Sequence, residues 1–506
     1  MNRNAALLAV VSGLVLLGCN LTGLLPGEEA PAAESEKPPV EENSAAQEAD
    51  EDAPAPTRAA AAPVNTAELI QPDDFEYLGA FRLPGGEDRP QTFAYGGNAM
   101  TFNPDGDPGG AEDGFPGSLF VMGHDRIPYG ELPDGNQVAE VSIPAPVNEK
   151  NLEALNSAEF LQNFTNVARG AFTALDEIPK TGMAYLNRPE TGALIHLAWG
   201  AHLQPPDVAS HAWFSANLSQ PAMQGFWFIG NQDLYSVNGY LFEIPQDWAE
   251  AYTGGRALAT GRMRDGGQGG MGPALFAYRP WLEDGSPAPD GTHLDETPLL
   301  LYENAYNTEE YVRCLNGYQH ADEWEGGAWL TTPAGKSAVL FAGTKATGEK
   351  TWYGYMHPGG ADKVCVDTHI NDFPTCRTAN GGVCPEKDFA GCCDEENGGC
   401  ISMRGWWSNR FDAQLMLFNP ADLAQVAAGA LEPWQPQPYA VIDIDEHLFL
   451  SPPEWDVIMV GSGDQRRYRI GDAAFDRASG LLYVLEQYAD GAKPVVHVWK
   501  VGNNDY

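Results

Sequence analysis

The clearest pattern of apolar and polar positions lies near the end of the chain. Residues 470–476 and 481–486 are short, largely apolar segments separated by the turn Arg477–Ala–Ser–Gly480, and residues 495–501 form a third such segment. Short apolar segments bounded by turn residues are typical of β-strands. The pattern therefore predicts three antiparallel strands joined as a meander.

Looser versions of this pattern recur upstream and predict an all-β fold. Phe75–Leu83 alternates like a half-buried strand, and we expect it to join the last meander as its fourth strand. Both ends of the folded region would then meet in one sheet, and closing the ring would protect its edges. This arrangement resembles extracellular bacterial β-propeller proteins. Four strands per blade predict about six blades, with five to seven in range, and β-sandwich domains are the alternative.

One local repeat supports the idea of repeated blades. Tyr240–Ala249 and Met416–Ala424 share a strand exit, then a proline, then an aspartate that we expect to cap a short helix. In both places the chain then returns as a strand. The two segments are therefore predicted to occupy similar positions in different blades.

The first residues indicate an exported, lipid-anchored protein. Arg3 precedes an apolar segment that is too short to span a membrane, and Leu16–Leu–Gly–Cys19 resembles the lipobox of bacterial lipoproteins. Residues 1–18 are thus the predicted signal peptide, and Cys19 the predicted lipidation site. Plain secretion or an uncleaved anchor is the alternative. The resemblance implies an extracytoplasmic protein held at a bacterial cell membrane or outer membrane, facing the exterior or the periplasm.

The remaining domain boundaries follow from composition. Residues 19–68 are rich in Ala, Pro and Glu and contain few large apolar side chains, so they predict a disordered tether. Residues 69–506 are the predicted propeller. The whole chain has 506 residues and a formal charge of −41, from 70 acidic and 29 basic side chains. Such a charge repels nucleic acid, which we therefore do not expect as a partner.

Eight cysteines include a dense group that predicts a disulfide-rich insert over residues 362–401. An exported chain meets an oxidising compartment, so two or three disulfides are expected there, with pairing left open. Seven cysteines remain after Cys19, which leaves one unpaired or bonded to another chain. A zinc cluster is the alternative. The seven are Cys314, Cys365, Cys376, Cys384, Cys392, Cys393 and Cys400.

In a propeller, connections between second and third strands and between blades lie on one face. The long polar segments of this chain are predicted to gather there, above short hairpins on the other face, so a site is expected among them. A hydrolase would need two carboxylates beside a substrate. The candidate catalytic residues in these segments are His124, Asp125, Asp265, His320, Asp322 and Glu323.

The same segments contain aromatic and cationic residues suited to sugars or anions. Aromatic rings stack on flat apolar faces, and guanidinium groups bind acidic groups in pairs of hydrogen bonds. Loop packing for the aromatic residues and ion pairing for the arginines are the alternatives. The candidate binding residues are Arg264, Tyr318, Trp324, Trp406, Trp407, Arg410, Arg466 and Arg467.

The sequence shows no motif typical of a cofactor site, and outside the cysteine group calcium is the metal that it suggests. Asp105, Asp107 and Asp113 carry oxygen ligands near one another, although their spacing departs from the EF-hand loop. Turns closed by aspartate side chains explain these residues equally well. Calcium therefore remains one of two interpretations of this segment.

Three functions remain open at this stage. The first is a surface-displayed binding protein that captures a glycan, a polymer or a partner protein through the loop face of the propeller. The second is an extracellular polysaccharide hydrolase or lyase. The third is a structural propeller within a membrane-associated assembly. Whether the protein is an enzyme is undecided by the sequence.

Overall fold

The computed structural model divides the chain into two compact units, Met1–Pro63 and Val64–Tyr506, and all described residues belong to the second. The predicted signal peptide, Cys19 and nearly all of the predicted tether therefore lie outside the described part. The structure describes residues 68–85, 90–107, 109–110, 114–123, 137–172, 180–200, 208–232, 234–262, 269–304, 313–319, 321–348, 350–352, 368–370, 373–375, 406–408, 410–450, 464 and 466–502.

The described residues are mainly β-strands with three short α-helices. The helices are α1 (Leu234–Val237), α2 (Gln246–Tyr252) and α3 (Pro420–Ala427). The strands are β1 (Phe75–Arg82), β2 (Met100–Asn103), β3 (Ser118–Gly123), β4 (Gln137–Ser142), β5 (Phe160–Thr165), β6 (Lys180–Arg188), β7 (Gly192–Gly200), β8 (His211–Ser215), β9 (Gln224–Ile229), β10 (Leu241–Glu243), β11 (Leu258–Thr260), β12 (Leu275–Tyr278), β13 (His293–Leu294), β14 (Glu296–Leu300), β15 (Glu323–Thr331), β16 (Ser337–Ala346), β17 (Lys350–Trp352), β18 (Thr368–Ile370), β19 (Phe373–Thr375), β20 (Trp406–Ser408), β21 (Phe411–Phe418), β22 (Ala440–Asp443), β23 (Ile470–Asp476), β24 (Leu481–Asp490) and β25 (Lys493–Val501).

Most of these strands form five sheets, each of which is one blade of a propeller. Blades one and two contain β2–β5 and β6–β9. Blade three contains β10, β11, β12 and β14, and blade four contains β15, β16, β21 and β22. Blade five contains β23, β24, β25 and β1. Within each blade the strands pair antiparallel, as predicted for the last meander.

The first strand of each blade is its inner strand, and the five inner strands contact one another in a closed ring. The contacts run from β2 to β6, β10, β15 and β23, and β23 returns to β2. This ring is the arrangement of a β-propeller, and it is incompatible with β-sandwich domains. We call the side on which inner strands begin the upper face and the side on which they end the lower face.

The blade number is five, at the lower limit of the predicted range and below the expected six. The sequence overestimates it because some segments resemble blade strands but lie outside the four-stranded sheets. The segment that begins at Thr351 is an example, since Lys350–Trp352 pairs with Trp406–Ser408 in a separate ribbon. A further short strand, β13, adds to the edge of blade two in parallel with β9.

The ring closes by pairing the two ends of the folded region, as the sequence predicted. Phe75 lies opposite Val501, and the antiparallel pairing of β1 with β25 continues to Arg82. A side-chain contact reinforces the closure, because the Tyr77 hydroxyl lies 2.9 Å from His497 Nδ1. The closing strand therefore carries both backbone and side-chain bonds between the ends of the chain.

Glycines allow the inner strands to approach one another closely. A β-carbon at Gly471 would lie 1.8 Å from the Gly97 carbonyl oxygen, and one at Gly182 would lie 2.3 Å from the Gly239 carbonyl oxygen. The Asp472 N–H donates to the Gly97 carbonyl across 3.0 Å, so the backbones of blades five and one are in direct contact. Side chains at these positions would push the blades apart.

The structure corrects the interpretation of the local repeat. α2 joins the first and second strands of blade three, whereas α3 joins the third and fourth strands of blade four. The two segments are similar exits at different positions of a blade. An aspartate caps neither helix, since Asn419 accepts from Ala421 N–H at the start of α3 and no side chain caps α2. Asp422 instead lies in the first helical turn, where the helix dipole favours a carboxylate.

The lower face is also less simple than predicted. The turn 477–480 is short, but residues 104–117 and 244–257 form long connections on this face, and α2 and α3 both lie there. Apolar cores fill the spaces between neighbouring blades, for example around Trp199 between blades one and two. The long connections are thus distributed over both faces of the described part, with those between second and third strands on the upper face.

Candidate functional site

A buried lysine occupies the upper half of the central channel. Lys180 begins the inner strand of blade two, and its Nζ lies 2.6 Å from Glu325 Oε1 on blade four. The same Nζ lies 2.9 Å from Asn98 Oδ1 just before blade one, and 5.5 Å from the centre of the Tyr468 ring just before blade five. One ammonium group therefore contacts groups from several blades at the axis of the ring.

Asp472 is a second fully buried group of the channel wall, on the inner strand of blade five. Its carboxylate accepts hydrogen bonds from the N–H groups of Met100 at 2.7 Å and Ala473 at 2.8 Å, and from Gly327 N–H. Burial raises the pKa of this carboxyl well above its usual range, and the charge of Glu325 adds to the shift, while the backbone donors oppose it. The side chain ties the inner strands of blades one, four and five together.

A cavity of about 300 Å³ occupies the lower half of the channel. The lower ends of all five inner strands line it, so it lies on the axis of the propeller. Its lining residues include Phe102, Phe242, Trp329 and Phe475. The volume is at the small end of the range for ligand pockets, which is about 300–1,000 Å³. The channel therefore has a filled upper half and an open lower half.

An ion pair lies at the mouth of this cavity. Arg477 Nη1, in the hairpin of blade five, is 2.6 Å from Glu243 Oε2 at the end of the inner strand of blade three. Blades three and five are not neighbours in the ring, because blade four lies between them. The ion pair therefore joins two blades whose inner strands are separated by that of blade four. The two side chains are 35% and 34% exposed, which sets this pair apart from the buried pair above it.

Of the six predicted catalytic residues, the structure describes Asp322 and Glu323; His124, Asp125, Asp265 and His320 lie outside the described part. Asp322 Oδ1 lies 3.0 Å from Lys345 Nζ and accepts from Ala346 N–H at 2.9 Å. Asp322 Oδ2 accepts from Gln319 N–H at 2.9 Å. Burial raises the pKa of Asp322, and the charge of Lys345 opposes the shift. Its contacts fix the entry into blade four.

The described aromatic candidates pack on each other. Tyr318 and Trp324 are both buried, and their rings are stacked with centres 6.4 Å apart. Arg466 is also buried, and its Nη2 donates to the carbonyl oxygens of Gln487 and Tyr488. Arg467 is buried over the Tyr468 ring. These contacts fit the alternative of packing for the aromatic residues, and the binding role of the four side chains stays a prediction. Arg264 lies outside the described part.

Trp406 and Trp407 lie on a ribbon formed by β17 and β20, and Arg410 follows it just before β21. The ribbon stands between β16 and β21 of blade four, on the upper face. Its register places Trp406 opposite Trp352, a tryptophan that sequence reasoning assigned to a blade strand rather than to a site. The Arg410 side chain is 55% exposed, and its Nε lies 2.8 Å from Asp412 Oδ1. The two strands of the ribbon thus contain three tryptophan positions, and an exposed arginine follows the second strand.

The predicted calcium residues form turns in the described part. Asp105 N–H donates to the Asn103 side chain at 3.1 Å, and Gly109 N–H donates to the Asp107 side chain at 2.9 Å. Asp105 Oδ2 also accepts from the Tyr185 hydroxyl at 3.1 Å. Asp113 lies outside the described part, so calcium here stays a prediction. The geometry supports the alternative of turns closed by side chains.

A further acidic group lies beside the ribbon. Ligand oxygens of Asp412, Asp443 and Asp445 lie within 4.8 Å of one another. Two of these carboxylates already have cationic partners, because Arg410 pairs with Asp412 and Arg469 pairs with Asp445 at 3.0 Å. Asp445 Oδ1 also accepts from Ala413 N–H at 2.8 Å. Arginines thus already balance part of the charge that a cation would meet here.

Cysteines and membrane spans are described only in part. Cys314 is partly buried against the core of blades two to four, and its carbonyl oxygen accepts from Gln437 Nε2 at 3.1 Å. The other six cysteines of the predicted disulfide group lie outside the described part, so their pairing stays a prediction. Among the residues that the structure describes, no helix has the length and apolar character needed to cross a bilayer.

Sequence reasoning missed the charged residues of the channel itself. Lys180, Glu325, Glu243 and Arg477 sit in or beside apolar strands, where single charges carry no motif. The available signal was a charge at the end of an inner strand, since such ends meet at the axis of a closed ring. Lys180 begins β6 and Glu243 ends β10, and both positions follow once the inner strands are identified.

These features define a five-bladed β-propeller with a charged plug and an open cavity on its axis. Comparison with protein-family models finds no match, and comparison with curated proteins finds none either. Solved structures similar to this chain include a putative phosphatase from Bacteroides thetaiotaomicron VPI-5482, at 11% identity and a TM-score of 0.30, over 85% of this chain and 79% of that one.

Another similar structure is the holo form of the PQQ domain of pyranose dehydrogenase from Coprinopsis cinerea. It is 10% identical to this chain at a TM-score of 0.32, over 85% of this chain and 97% of that one. Likenesses of this size carry no argument about function. The assignment of the fold therefore rests on the strand pairing and on the ring of inner strands.

Proposed function

We propose that the protein is a binding protein displayed at a bacterial cell surface, which captures a glycan or a similar polymer on the upper face of its propeller. The propeller fold is compatible with a binding role. The observation that supports the finer proposal is the ribbon of β17 and β20, which carries three tryptophans beside the exposed Arg410. A partner protein remains the other ligand that this face would accept.

The base of the ribbon is fixed to blade four. The Ser408 hydroxyl accepts from Gly348 N–H at 3.0 Å and donates to the Arg410 carbonyl at 2.7 Å. The Thr347 N–H donates to the same carbonyl at 3.0 Å. A support held in place before binding loses little conformational entropy when a ligand docks. The ribbon is therefore a suitable platform for capture.

The residue types on this platform favour sugars. Tryptophan rings stack on the flat apolar faces of sugar rings, and a guanidinium group binds hydroxyl or carboxylate oxygens. Trp352 and Trp406 occupy directly opposite positions on the two strands, and Trp407 is the next residue. A polysaccharide presents repeated sugar faces, so it can use several of these positions at once.

The alternative of a polysaccharide hydrolase or lyase has less support from the geometry. Hydrolysis needs two carboxylates on either side of a substrate bond. Asp322 is held by Lys345 and by two backbone N–H groups, contacts that fit a structural role. A structural propeller of a membrane assembly is the third possibility, and it predicts no affinity for carbohydrate.

Attachment to the membrane through lipidated Cys19 completes the proposal. Residues 19–68 would hold the propeller away from the lipid surface, and disulfides within residues 362–401 would stiffen the long segment that leads into the ribbon. Both ideas derive from the sequence. They predict that globomycin-type inhibition of lipoprotein processing, or a Cys19→Ser change, releases the protein from membranes or blocks its maturation.

The test is polysaccharide binding by the full-length protein in detergent, followed by an assay for released product. We expect Trp406→Ala and Trp407→Ala each to weaken binding about tenfold or more, which is the loss of one stacked ring. Trp434→Ala is the matched control, because this tryptophan lies outside the ribbon, between α3 and β22, and the variant should bind as the wild type does. Unchanged binding in both ribbon variants would contradict the glycan proposal, and product release would support the enzyme instead.

A further inference from the structure

We infer that the axial cavity is a second binding site, which takes a small organic cation with an apolar body. The charged head of this ligand would replace the Arg477 guanidinium on Glu243. The cavity opens on the lower face, away from the ribbon of the upper face. The inference therefore goes beyond the proposed capture of polymers and does not depend on it.

The mouth of the cavity already holds a cation. Arg477 Nη1 lies 2.6 Å from Glu243 Oε2, and both side chains line the cavity. They come from non-neighbouring blades, so neither is held in place by strand pairing with the other. The guanidinium thus marks a position at which Glu243 binds a positively charged planar group.

The Arg477 guanidinium is easy to displace from Glu243. Both partners are about one-third exposed, and water screens the attraction between exposed charges. Arg477 lies in the turn 477–480, where its long side chain can reach solvent once it leaves Glu243. A ligand that carries its own cation can therefore exchange with Arg477 without leaving either charge buried and unpaired.

The charged side chains around the cavity favour a cationic ligand. The charged side chains among the described lining residues are Glu243, Asp476 and Arg477. Asp476 is 2% exposed, and its Oδ1 accepts from the N–H groups of Ala478 and Ser479. Displacement of Arg477 leaves two carboxylates and no cation at the mouth. An incoming cation is then favoured over an anion, in keeping with the net charge of −41.

The lining and the volume of the cavity limit the body of the ligand. Phe102, Phe242, Trp329 and Phe475 are among the residues that line the cavity above the ion pair. Aromatic faces attract cations and also pack against apolar groups. The cavity of about 300 Å³ limits the body to about the size of one ring. A primary ammonium or guanidinium group on a small aromatic or aliphatic body matches these properties.

The experiment is calorimetric titration of the full-length protein with benzylammonium, benzyl alcohol and benzoate, which differ mainly in charge. We expect benzylammonium to bind at least about tenfold more tightly than the alcohol, and benzoate to bind most weakly. Arg477→Ala removes the competing cation and should strengthen benzylammonium binding about tenfold. Glu243→Gln should weaken it by a similar factor and abolish the preference for the ammonium over the alcohol.

Two controls separate the cavity from general effects of charge. Glu190→Gln removes a carboxylate on another hairpin of the lower face, where it pairs with Arg188, and should leave binding unchanged. Trp406→Ala should also leave it unchanged, so a failure of the polymer proposal would not affect this result. Near-ultraviolet circular dichroism confirms that each variant is folded. Equal binding of benzoate and benzylammonium, no binding in Arg477→Ala, or unchanged binding in Glu243→Gln would each overturn the inference.

Discussion

The two ends of the channel use the same kind of contact in opposite ways. Lys180 and Glu325 join blades two and four at the upper end, and their side chains are 9% and 1% exposed. Arg477 and Glu243 join blades five and three at the lower mouth, and theirs are 35% and 34% exposed. Both pairs have an N–O distance of 2.6 Å. Distance therefore does not distinguish a structural pair from an exchangeable one, whereas burial does.

Burial distinguishes the two ion pairs because it sets the energetic cost of losing a partner. A buried charge that loses its partner stays in a medium that solvates it poorly. A charged side chain at the mouth can turn towards water, so it loses little solvation free energy when its partner leaves. The upper pair also has extra neighbours, since Lys180 contacts Asn98 and the Tyr468 ring. The upper end is thus a fixed part of the fold, and the lower end is free to change.

The largest effect is expected at the buried pair. Lys180→Met removes the ammonium group beside the buried Glu325 carboxylate, which should lower the free energy of unfolding by about 3–5 kcal/mol. Denaturant unfolding monitored by tryptophan fluorescence measures this change. The double variant Lys180→Met/Glu325→Leu removes both charges and should recover most of the loss. A single variant that loses less than about 1 kcal/mol would contradict the role given to the upper end.

The next effect tests the close contact of inner strands at the upper end. Gly471→Ala would place a β-carbon 1.8 Å from the Gly97 carbonyl oxygen, so blades five and one must separate. We expect a loss of about 1–3 kcal/mol in the free energy of unfolding. Gly109→Ala is the control, because the nearest atom there is a side-chain oxygen at 3.3 Å. Equal stability of the two variants would show that the ring tolerates a wider spacing.

A buried histidine away from the channel tests the effect of burial on stability without an ion pair. His196 lies between blades two and three, and neither ring nitrogen has a hydrogen-bond partner among the described residues. Burial lowers the pKa of His196 to about 3. Burial, followed by the charge of His196, lowers that of His211 to about 3 as well. Both imidazoles are therefore neutral in the folded protein near neutral pH.

The sign of the pH dependence follows from these shifts. Above a pH of about 6.5 both states are neutral and the histidines contribute no pH dependence. As pH falls from about 6.5 towards 3, the unfolded chain binds protons first, so stability falls by up to about 1.4 kcal/mol per pH unit for each histidine. His196→Phe should reduce this slope by up to about half. An unchanged slope, measured by denaturant unfolding between these values, would contradict the assignment.

The smallest effect on stability is expected at the lower mouth. Arg477→Ala breaks an ion pair that is one-third exposed, so we expect a loss of less than about 1 kcal/mol. Arg279→Ala, an exposed arginine outside the cavity, serves as the control. A loss near that of Lys180→Met would show that the lower pair is also part of the fixed fold. The comparison between the two ends would then fail.

The sequence predicted the strands better than the site, and the reason is physical. Phe75–Leu83 and the last meander carry local alternation, which depends on each strand alone, and both were placed correctly in one blade. The blade number was overestimated because the ribbon of β17 and β20 has the same local pattern as blade strands. Local patterns identify strands, but the partner of each strand depends on the closed ring.

The channel contacts join residues that are far apart in the chain. Lys180 and Glu325 are separated by 145 positions, and Glu243 and Arg477 by 234. No periodicity links such pairs, since they meet only after the inner strands form a ring. Asp322 was predicted to lie in a loop. In the structure it is buried and contacts Lys345, 23 positions later. Burial of a charge is a property of the assembled blades.

The most direct test is a crystal structure of the full-length protein with benzylammonium bound. The account predicts the ligand in the lower half of the channel, with its nitrogen on Glu243, Arg477 turned towards solvent and the contact between Lys180 and Glu325 unchanged. A ligand elsewhere on the surface, or one that displaces Lys180 and leaves Arg477 on Glu243, would contradict the assignment of a fixed upper end and an exchangeable lower mouth.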